Sequence, residues 1–314
     1  MLKHLKEIFV VCLVMVAVLF SGCSNYKIYT MAINNTRSVA NLSLKKVMIS
    51  MGEIVYLDNA SDNHPRIDQD VIVMVHGFGG NKDNWVLMAD EMTKKYRVIA
   101  LDLPGHGDSA SDESISYTIE NQAKWLNEFM DKLHIKKAHM IGNSMGGAIC
   151  VEFTHLYSEK VLSMTLVDSA GLNKTESEYI QLLKKGVNPL VVGNPDEYKK
   201  LMDLVMEKKP YMPGSMIAVM TEQKIARKAM DEKIFKDILT DVSQVGDFLS
   251  DIHTPTLIIW GDHDRVIHVD NAEEFHQRIK GSQKVILEGV GHIPMVEAPR
   301  KTGEAYKEFL SAIQ

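Results

Sequence analysis

The sequence predicts an α/β fold in which a mostly parallel sheet carries helices on both faces. From Val71 onward, short apolar stretches typical of strands alternate with longer stretches typical of helices, and this alternation is characteristic of parallel sheets. The chain has 314 residues, 45% of them hydrophobic and 24% charged. These values suit one large globular domain with an insertion.

The individual elements follow from local patterns. A hairpin is predicted at 47–57, because two alternating stretches flank Met51-Gly52. Further strands are predicted at 71–75, 97–101, 137–141, 161–167, 256–260 and 284–287. Helices are predicted at 82–93, 117–133 and 148–157.

Residues 172–245 interrupt the alternation. They hold several helical runs and no clear strand, and alternation resumes at Pro255. We therefore predict a helical cap at 172–245, inserted between core segments 47–171 and 246–314. Its apolar side chains, many of them methionines, suit either the core of the cap itself or an acyl-chain pocket.

The most informative motif is Gly142-Asn143-Ser144-Met145-Gly146. It lies between a predicted strand and a predicted helix, which is the context of a nucleophile elbow. Such a turn is tight, so glycines on either side avoid collisions and the serine is pushed towards solvent. The motif predicts Ser144 as a nucleophile, the alternative being a small-residue turn that packs a helix on the sheet.

A serine nucleophile needs a base and an orienting acid. After an elbow of this kind the acid comes next in the chain and the histidine follows it. His292 lies on a glycine-flanked loop after the last predicted strand and is the predicted base. Asp264 lies in the turn after strand 256–260 and is the predicted acid. Asp262 and Asp168, which also follow strands, remain alternatives.

The negative oxygen formed in acyl transfer must be met by backbone N–H groups. One predicted donor is Met145, directly after the nucleophile, and the other is Phe78, in the loop after strand 71–75. His76 in the same loop is predicted to brace it.

Together these motifs resemble the α/β-hydrolase superfamily from about Val47 to the C-terminus. In that family the acid occupies the fourth position of a Gly-x-x-Asp turn, which favours Asp264 over Asp262. The motifs that carry the resemblance are His76-Gly77-Phe78-Gly79-Gly80, Asp102-Leu103-Pro104-Gly105-His106-Gly107, the Ser144 elbow, Gly261-Asp262-His263-Asp264 and Gly291-His292.

Within the superfamily the chain resembles the bacterial secreted lipases called family V, through segments 77–84, 142–149, 167–171, 194–213 and 290–298. The resemblance implies hydrolysis of acylglycerols and simpler carboxylic esters without a cofactor.

Carbon–carbon bond hydrolases of aromatic ring cleavage are the nearest alternative family. They share the elbow, but they usually carry tryptophan where this chain has Ile293 and a Gly-Pro-Gly loop where it has Gly79-Gly80-Asn81. Dehalogenases and epoxide hydrolases have aspartate at the position of Ser144. A non-catalytic binding lipoprotein is a third alternative.

Residues 1–23 are predicted to be a targeting leader. Lys3 and Lys6 precede an apolar run at 8–20 that is short for a membrane span and typical of a signal peptide. The following Ser21-Gly22-Cys23 resembles a lipoprotein cleavage site and predicts an exported protein, lipidated at Cys23. Phe20 stands where leucine is usual, so an ordinary signal peptide or an uncleaved anchor remain alternatives. Residues 24–46 are predicted to be a polar tether.

Composition argues against several other functions. A net charge of −6 and a pI of about 6.1 disfavour nucleic-acid binding, and the sequence has no glycine-rich phosphate motif and no metal-ligand spacing. Two of the 3 cysteines lie in the leader. Cys150 therefore has no partner for an internal disulfide and is predicted to be a small buried side chain.

Overall fold

The computed structural model describes residues 24–61, 66 and 69–313. The described residues form an eight-stranded sheet of order β1-β2-β4-β3-β5-β6-β7-β8. Strand β2 is antiparallel to both its neighbours, and β3 to β8 are parallel to one another. The predicted α/β-hydrolase fold class is confirmed.

The strands occupy nearly the predicted positions. Their bounds are β1 Ser43–Ile49, β2 Gly52–Asp58, β3 Val71–Val75, β4 Arg97–Leu101, β5 Ala138–Asn143, β6 Val161–Val167, β7 Thr256–Gly261 and β8 Gln283–Leu287.

The α-helices are α1 Asn25–Val39, α2 Val86–Met92, α3 Ile119–Lys132, α4 Met145–Leu156, α5 Glu178–Lys184, α6 Pro195–Val205, α7 Gly214–Ala226, α8 Lys228–Ile238, α9 Asp270–Arg278, α10 Pro294–Glu297 and α11 Pro299–Ala312. The chain forms 3₁₀ helices at Lys82–Trp85, Ser158–Lys160 and Val242–Asp251.

The central strands are buried on both faces, as parallel strands covered by helices should be. Every residue of β5 and β7 is buried. One apolar core lies under α3 and α4, and a second lies under α2 and α11. Cys150 belongs to the first core and is fully buried. This packing fixes the carboxyl ends of the strands, from which the site is built.

The segment 24–46, predicted as a tether, forms α1 and the start of β1. Ser24 caps the helix by accepting a hydrogen bond from the Lys27 amide. Arg37 forms two hydrogen bonds of 2.6 Å with Asp83, and α1 packs against α7. The predicted leader, including Cys23, lies outside the described residues. Among the described residues, no helix has the length and apolar character needed to cross a bilayer.

Residues 172–245, the segment predicted as a cap, contain α5 to α8 and no strand. This segment contacts the loops at the carboxyl ends of the strands. The Arg265 guanidinium donates to Met206 O at 2.9 Å, and the Tyr179 amide donates to Arg265 O at 3.0 Å. Residues 172–245 therefore lie beside the turn that carries Asp264.

Candidate active site

Ser144 occupies the sharp turn between β5 and α4. Its φ of +54° is a left-handed conformation that non-glycine residues rarely adopt. Two hydrogen bonds hold it there: its amide donates to Val167 O at 3.0 Å, and its carbonyl accepts from the Ala170 amide at 3.0 Å. Ser144 is partly exposed between the buried residues Asn143 and Met145.

The glycines of the elbow are required by close backbone contacts. A Cβ on Gly142 would lie 2.2 Å from Gly146 O, and a Cβ on Gly146 would lie 2.3 Å from Val75 O. Neither distance leaves room for a side chain. The Gly-x-Ser-x-Gly spacing is therefore what allows α4 to begin so close to β3 and β5.

His292 and Asp264 are in direct contact. The His292 Nδ1 lies 2.8 Å from Asp264 Oδ2, and both side chains are buried. The other oxygen of Asp264 accepts the amides of Val266 at 2.8 Å and Ile267 at 2.9 Å. These bonds fix the carboxylate in one orientation towards the imidazole.

Asp262, the first alternative acid, points elsewhere. Its Oδ1 accepts the Gly289 amide at 2.7 Å and lies 2.7 Å from the Nδ1 of the exposed His263. Asp262 therefore supports the start of the loop that carries His292.

Asp168, the second alternative, lies at the end of β6 with a φ of +46° and is fully buried. Its Oδ1 accepts the Gly261 amide at 3.0 Å. One oxygen of Asp168, one of Asp264 and a ring nitrogen of His292 lie within 4.8 Å of one another. The structure thus brings both Asp168 and Asp264 to the histidine, with Asp264 in contact with its Nδ1.

One predicted oxyanion donor, Met145, directly follows Ser144, and the other, Phe78, lies in a turn that approaches it. Met145 is the first residue of α4, so its amide has no acceptor within the helix. Phe78 and Gly79 are the central residues of a turn closed by a 3.0 Å bond from the Gly80 amide to Gly77 O. A Cβ on Gly77 would lie 3.1 Å from Ser144 Cβ, which shows how closely this turn approaches the serine.

His76 braces that turn. Its Nε2 accepts the Leu103 amide at 3.1 Å, so its Nδ1 carries the hydrogen and donates to Gly77 O at 2.8 Å. Burial lowers the pKa of His76 to about 3. The ring is therefore neutral, as a structural brace should be.

Two residues hold the site together that sequence reasoning did not single out. The Asn143 side chain donates to Val167 O at 3.1 Å and to His292 O at 3.0 Å. Glu297 accepts the Gly291 amide at 3.2 Å and the Glu207 amide at 2.9 Å. Both lie inside motifs that carried the family resemblance, but Val167, His292 and Glu207 are distant from them in sequence.

Residues 172–245 contribute two further contacts. The His292 amide donates to Val205 O at 2.9 Å. Lys224, paired with Asp231 at 2.6 Å, places its ammonium 5.4 Å from the Phe78 ring centroid. Residues 172–245 thus touch both the base and one predicted oxyanion donor.

The chain is similar to several known proteins. Lipase 3 of Moraxella sp. (strain TA144) is 35% identical over 313 residues, 95% of this chain and 97% of that protein. The crystal structure of a membrane phospholipase A, a bacterial virulence factor, is 34% identical with a TM-score of 0.89, and the match covers 100% of this chain and 99% of that one. A 2-hydroxy-6-oxo-6-phenylhexa-2,4-dienoate hydrolase from Rhodococcus sp. strain RHA1 is 20% identical over 86% of this chain and 99% of its own, with a TM-score of 0.73, and shows the fold alone.

A sequence profile described as the alpha/beta hydrolase fold matches residues 70–191 and 218–299. These two stretches contain Ser144, Asp264 and His292 and make up more than half of the chain. Together with the relative that matches nearly its whole length, this places the chain in the α/β-hydrolase family.

Proposed function

We propose that this protein is a serine carboxylic-ester hydrolase of the lipase and esterase class. The observation that carries the proposal is the buried His292–Asp264 contact beside a strained serine elbow. That pairing is what a serine hydroxyl needs to become a nucleophile. The relative named a lipase and the structure named a phospholipase support an ester of a fatty acid as substrate.

In the proposed mechanism Ser144 attacks the acyl carbonyl while His292 takes its proton. Asp264 holds the imidazole so that Nδ1 carries a hydrogen and Nε2 faces the reaction. The Phe78 and Met145 amides stabilise the negative oxygen. His292 then protonates the leaving alcohol, and water releases the acid from Ser144 by the same route.

We further propose that residues 172–245 form a cap over the acyl-binding side of the site. The contacts from Val205 to His292 and from Lys224 to the Phe78 ring support it. Methionines in this segment are flexible and polarizable, which suits contact with acyl chains of differing length.

A rate series on p-nitrophenyl esters of increasing chain length tests the function, with a ring-cleavage dienoate assayed beside it. We expect ester hydrolysis with a maximum at one chain length and no cleavage of the dienoate. The Ser144→Ala protein is the control for background hydrolysis. Turnover of the dienoate without ester hydrolysis would instead assign the chain to the carbon–carbon bond hydrolases. A folded protein that neither turns over a substrate nor reacts with a serine-directed phosphonate would indicate a binding protein.

We also propose that the protein is exported and anchored to a membrane through lipidated Cys23. The support is the leader sequence, Lys3 and Lys6 followed by an apolar run and Ser21-Gly22-Cys23, together with the membrane phospholipase that the chain resembles. Two or more acyl chains give stable anchoring, whereas one gives weak binding. Such an anchor would hold Ser144 close to lipid substrate.

Cys23→Ser is expected to leave the rate on a soluble ester unchanged and to abolish lipidation. Mass spectrometry of the wild-type N-terminus should find a lipid-modified Cys23. Cell fractionation should find mature wild-type protein in the membrane fraction and no mature Cys23→Ser protein there. An unmodified mature terminus at another residue would replace this proposal with plain secretion.

A further inference from the structure

The Asp168 carboxyl is a buried acid that the proposed mechanism does not use. Its side chain is fully buried, and its backbone is held at a φ of +46°. Only one of its oxygens is satisfied, by the Gly261 amide. Within the described part of the chain, no donor reaches its Oδ2.

Asp168 lies beside Asp264, and two buried carboxylates so close together cannot both ionise without strong repulsion. Asp264 is the better stabilised of the two as an anion, because it accepts two amides and contacts His292. Asp168 accepts one amide and has no cationic partner among the described residues. Two other ionisable groups act on it: Glu297, which is also acidic, and His292, whose ring nitrogen lies within 4.8 Å of an Asp168 oxygen but contacts Asp264 through Nδ1.

We infer that Asp168 is a neutral carboxylic acid that donates its Oδ2 hydrogen to Asp264 and so positions the acid of the triad. This inference rests on the proposed function. It accounts for the unsatisfied Oδ2 and for the lack of an ion pair at Asp168 among the described residues. It also gives a reason for keeping a strained backbone at the end of β6.

The direction of the pKa agrees with this geometry. Burial, and next the charge of Asp264, hold the pKa of Asp168 well above its usual range. A neutral donor beside Asp264 would fix the orientation of the Asp264 carboxylate and partly shield its negative charge.

Two variants test the inference through the pH dependence of kcat/KM on a soluble ester. In Asp168→Asn the side-chain amide can accept from Gly261 and donate to Asp264. We therefore expect a rate within about threefold of wild type, a smaller change than the loss of one net hydrogen bond would cause. The acid limb, the fall of kcat/KM at low pH, should stay at the same pH. Asparagine also tolerates positive φ.

In Asp168→Leu the donor is lost and water stays excluded. We expect kcat to fall about tenfold, the value of one buried hydrogen bond, with KM little changed. The acid limb should move to higher pH, because an unshielded Asp264 stabilises protonated His292.

If Asp168 were ionised, the acid limb of the pH profile would shift in the opposite direction. Asp168→Asn would then remove a negative charge near His292, and the acid limb would move to lower pH by about one unit. That shift would overturn the inference, and so would an Asp168→Leu enzyme that matched wild type in both rate and acid limb. If Asp168→Leu fails to fold, the Asp168→Asn profile still decides.

The same comparison can be made without catalysis. The Ser144→Ala protein and the Ser144→Ala, Asp168→Asn double variant are compared by NMR titration of the His292 ring. The titration midpoint should be the same in both if Asp168 is neutral, and lower in the double variant if Asp168 is ionised. Full esterase activity in Ser144→Ala would refute Ser144 as the nucleophile. The titration would still report whether Asp168 is neutral.

Discussion

Ser144→Ala is expected to lower kcat/KM on p-nitrophenyl esters by roughly four orders of magnitude or more, since removal of a triad nucleophile costs on that scale. Ser144 is partly exposed between the buried residues Asn143 and Met145, so its hydroxyl is the one that the elbow offers to a substrate. Initial rates of purified protein on the chain-length series measure the effect.

The loss should come without unfolding, because alanine keeps the backbone bonds to Val167 and Ala170. Thermal melting checks this. Ser169→Ala is a matched control: it also removes a serine hydroxyl close to the elbow, but a fully buried one that donates to the Ala170 carbonyl at 3.0 Å. Its rate should stay within about threefold of wild type, less than one net hydrogen bond. If Ser144→Ala keeps more than about a hundredth of wild-type activity, Ser144 is not the nucleophile.

The elbow was predictable because its requirements are local. A strand, a turn with glycines at fixed offsets and a helix all lie within 138–156, and the clash that excludes a side chain at Gly142 arises within that short stretch. The parallel sheet was predictable for a related reason, since apolar strands alternating with helices leave few topologies. These patterns led to the fold class, which the structure confirms.

The family's Gly-x-x-Asp turn favoured Asp264 over Asp262, but the contacts that each acid makes needed three-dimensional information. Asp168, Asp262 and Asp264 all follow strands, and sequence spacing places all three near one edge of the sheet. What separates them is side-chain direction: Asp264 meets His292, whereas Asp262 turns back to the Gly289 amide. The pairing of Asp168 with Asp264 depends on the adjacency of β6 and β7 in the sheet. Neither side-chain fact has a local sequence signal.

Helix α1 shows the same limit. Its polar sequence buries no residue fully and has weak periodicity, so segment 24–46 resembled a tether. Its order comes from distant partners, the Arg37–Asp83 ion pair and the packing against α7. Tertiary contacts of this kind commonly decide whether a weakly amphipathic segment becomes helical.

Asp264→Asn is expected to lower kcat by about four orders of magnitude, the cost of holding a catalytic histidine in the wrong tautomer. The reason lies in the two amides of Val266 and Ile267, which require an acceptor at the Oδ1 position. The asparagine oxygen must take that position, so its NH₂ group faces the His292 Nδ1. That nitrogen would then have to accept, and the hydrogen would move to Nε2, where a base must be free.

Asp262→Asn and Asp168→Asn are the matched controls, because each makes the same chemical change close to His292. Asp262 accepts the Gly289 amide, which an asparagine oxygen can also do, and Asp168 as a neutral acid is close in shape and bonding to asparagine. Asp262→Asn should stay within about tenfold of wild type in kcat, the scale of a single weakened hydrogen bond, and Asp168→Asn should stay within about threefold. A loss at Asp168→Asn larger than at Asp264→Asn would move the catalytic acid from the end of β7 to the end of β6. Since the two carboxyls share one buried cluster with His292, only the relative size of the two losses separates the residue that orients the imidazole from the one that positions its partner.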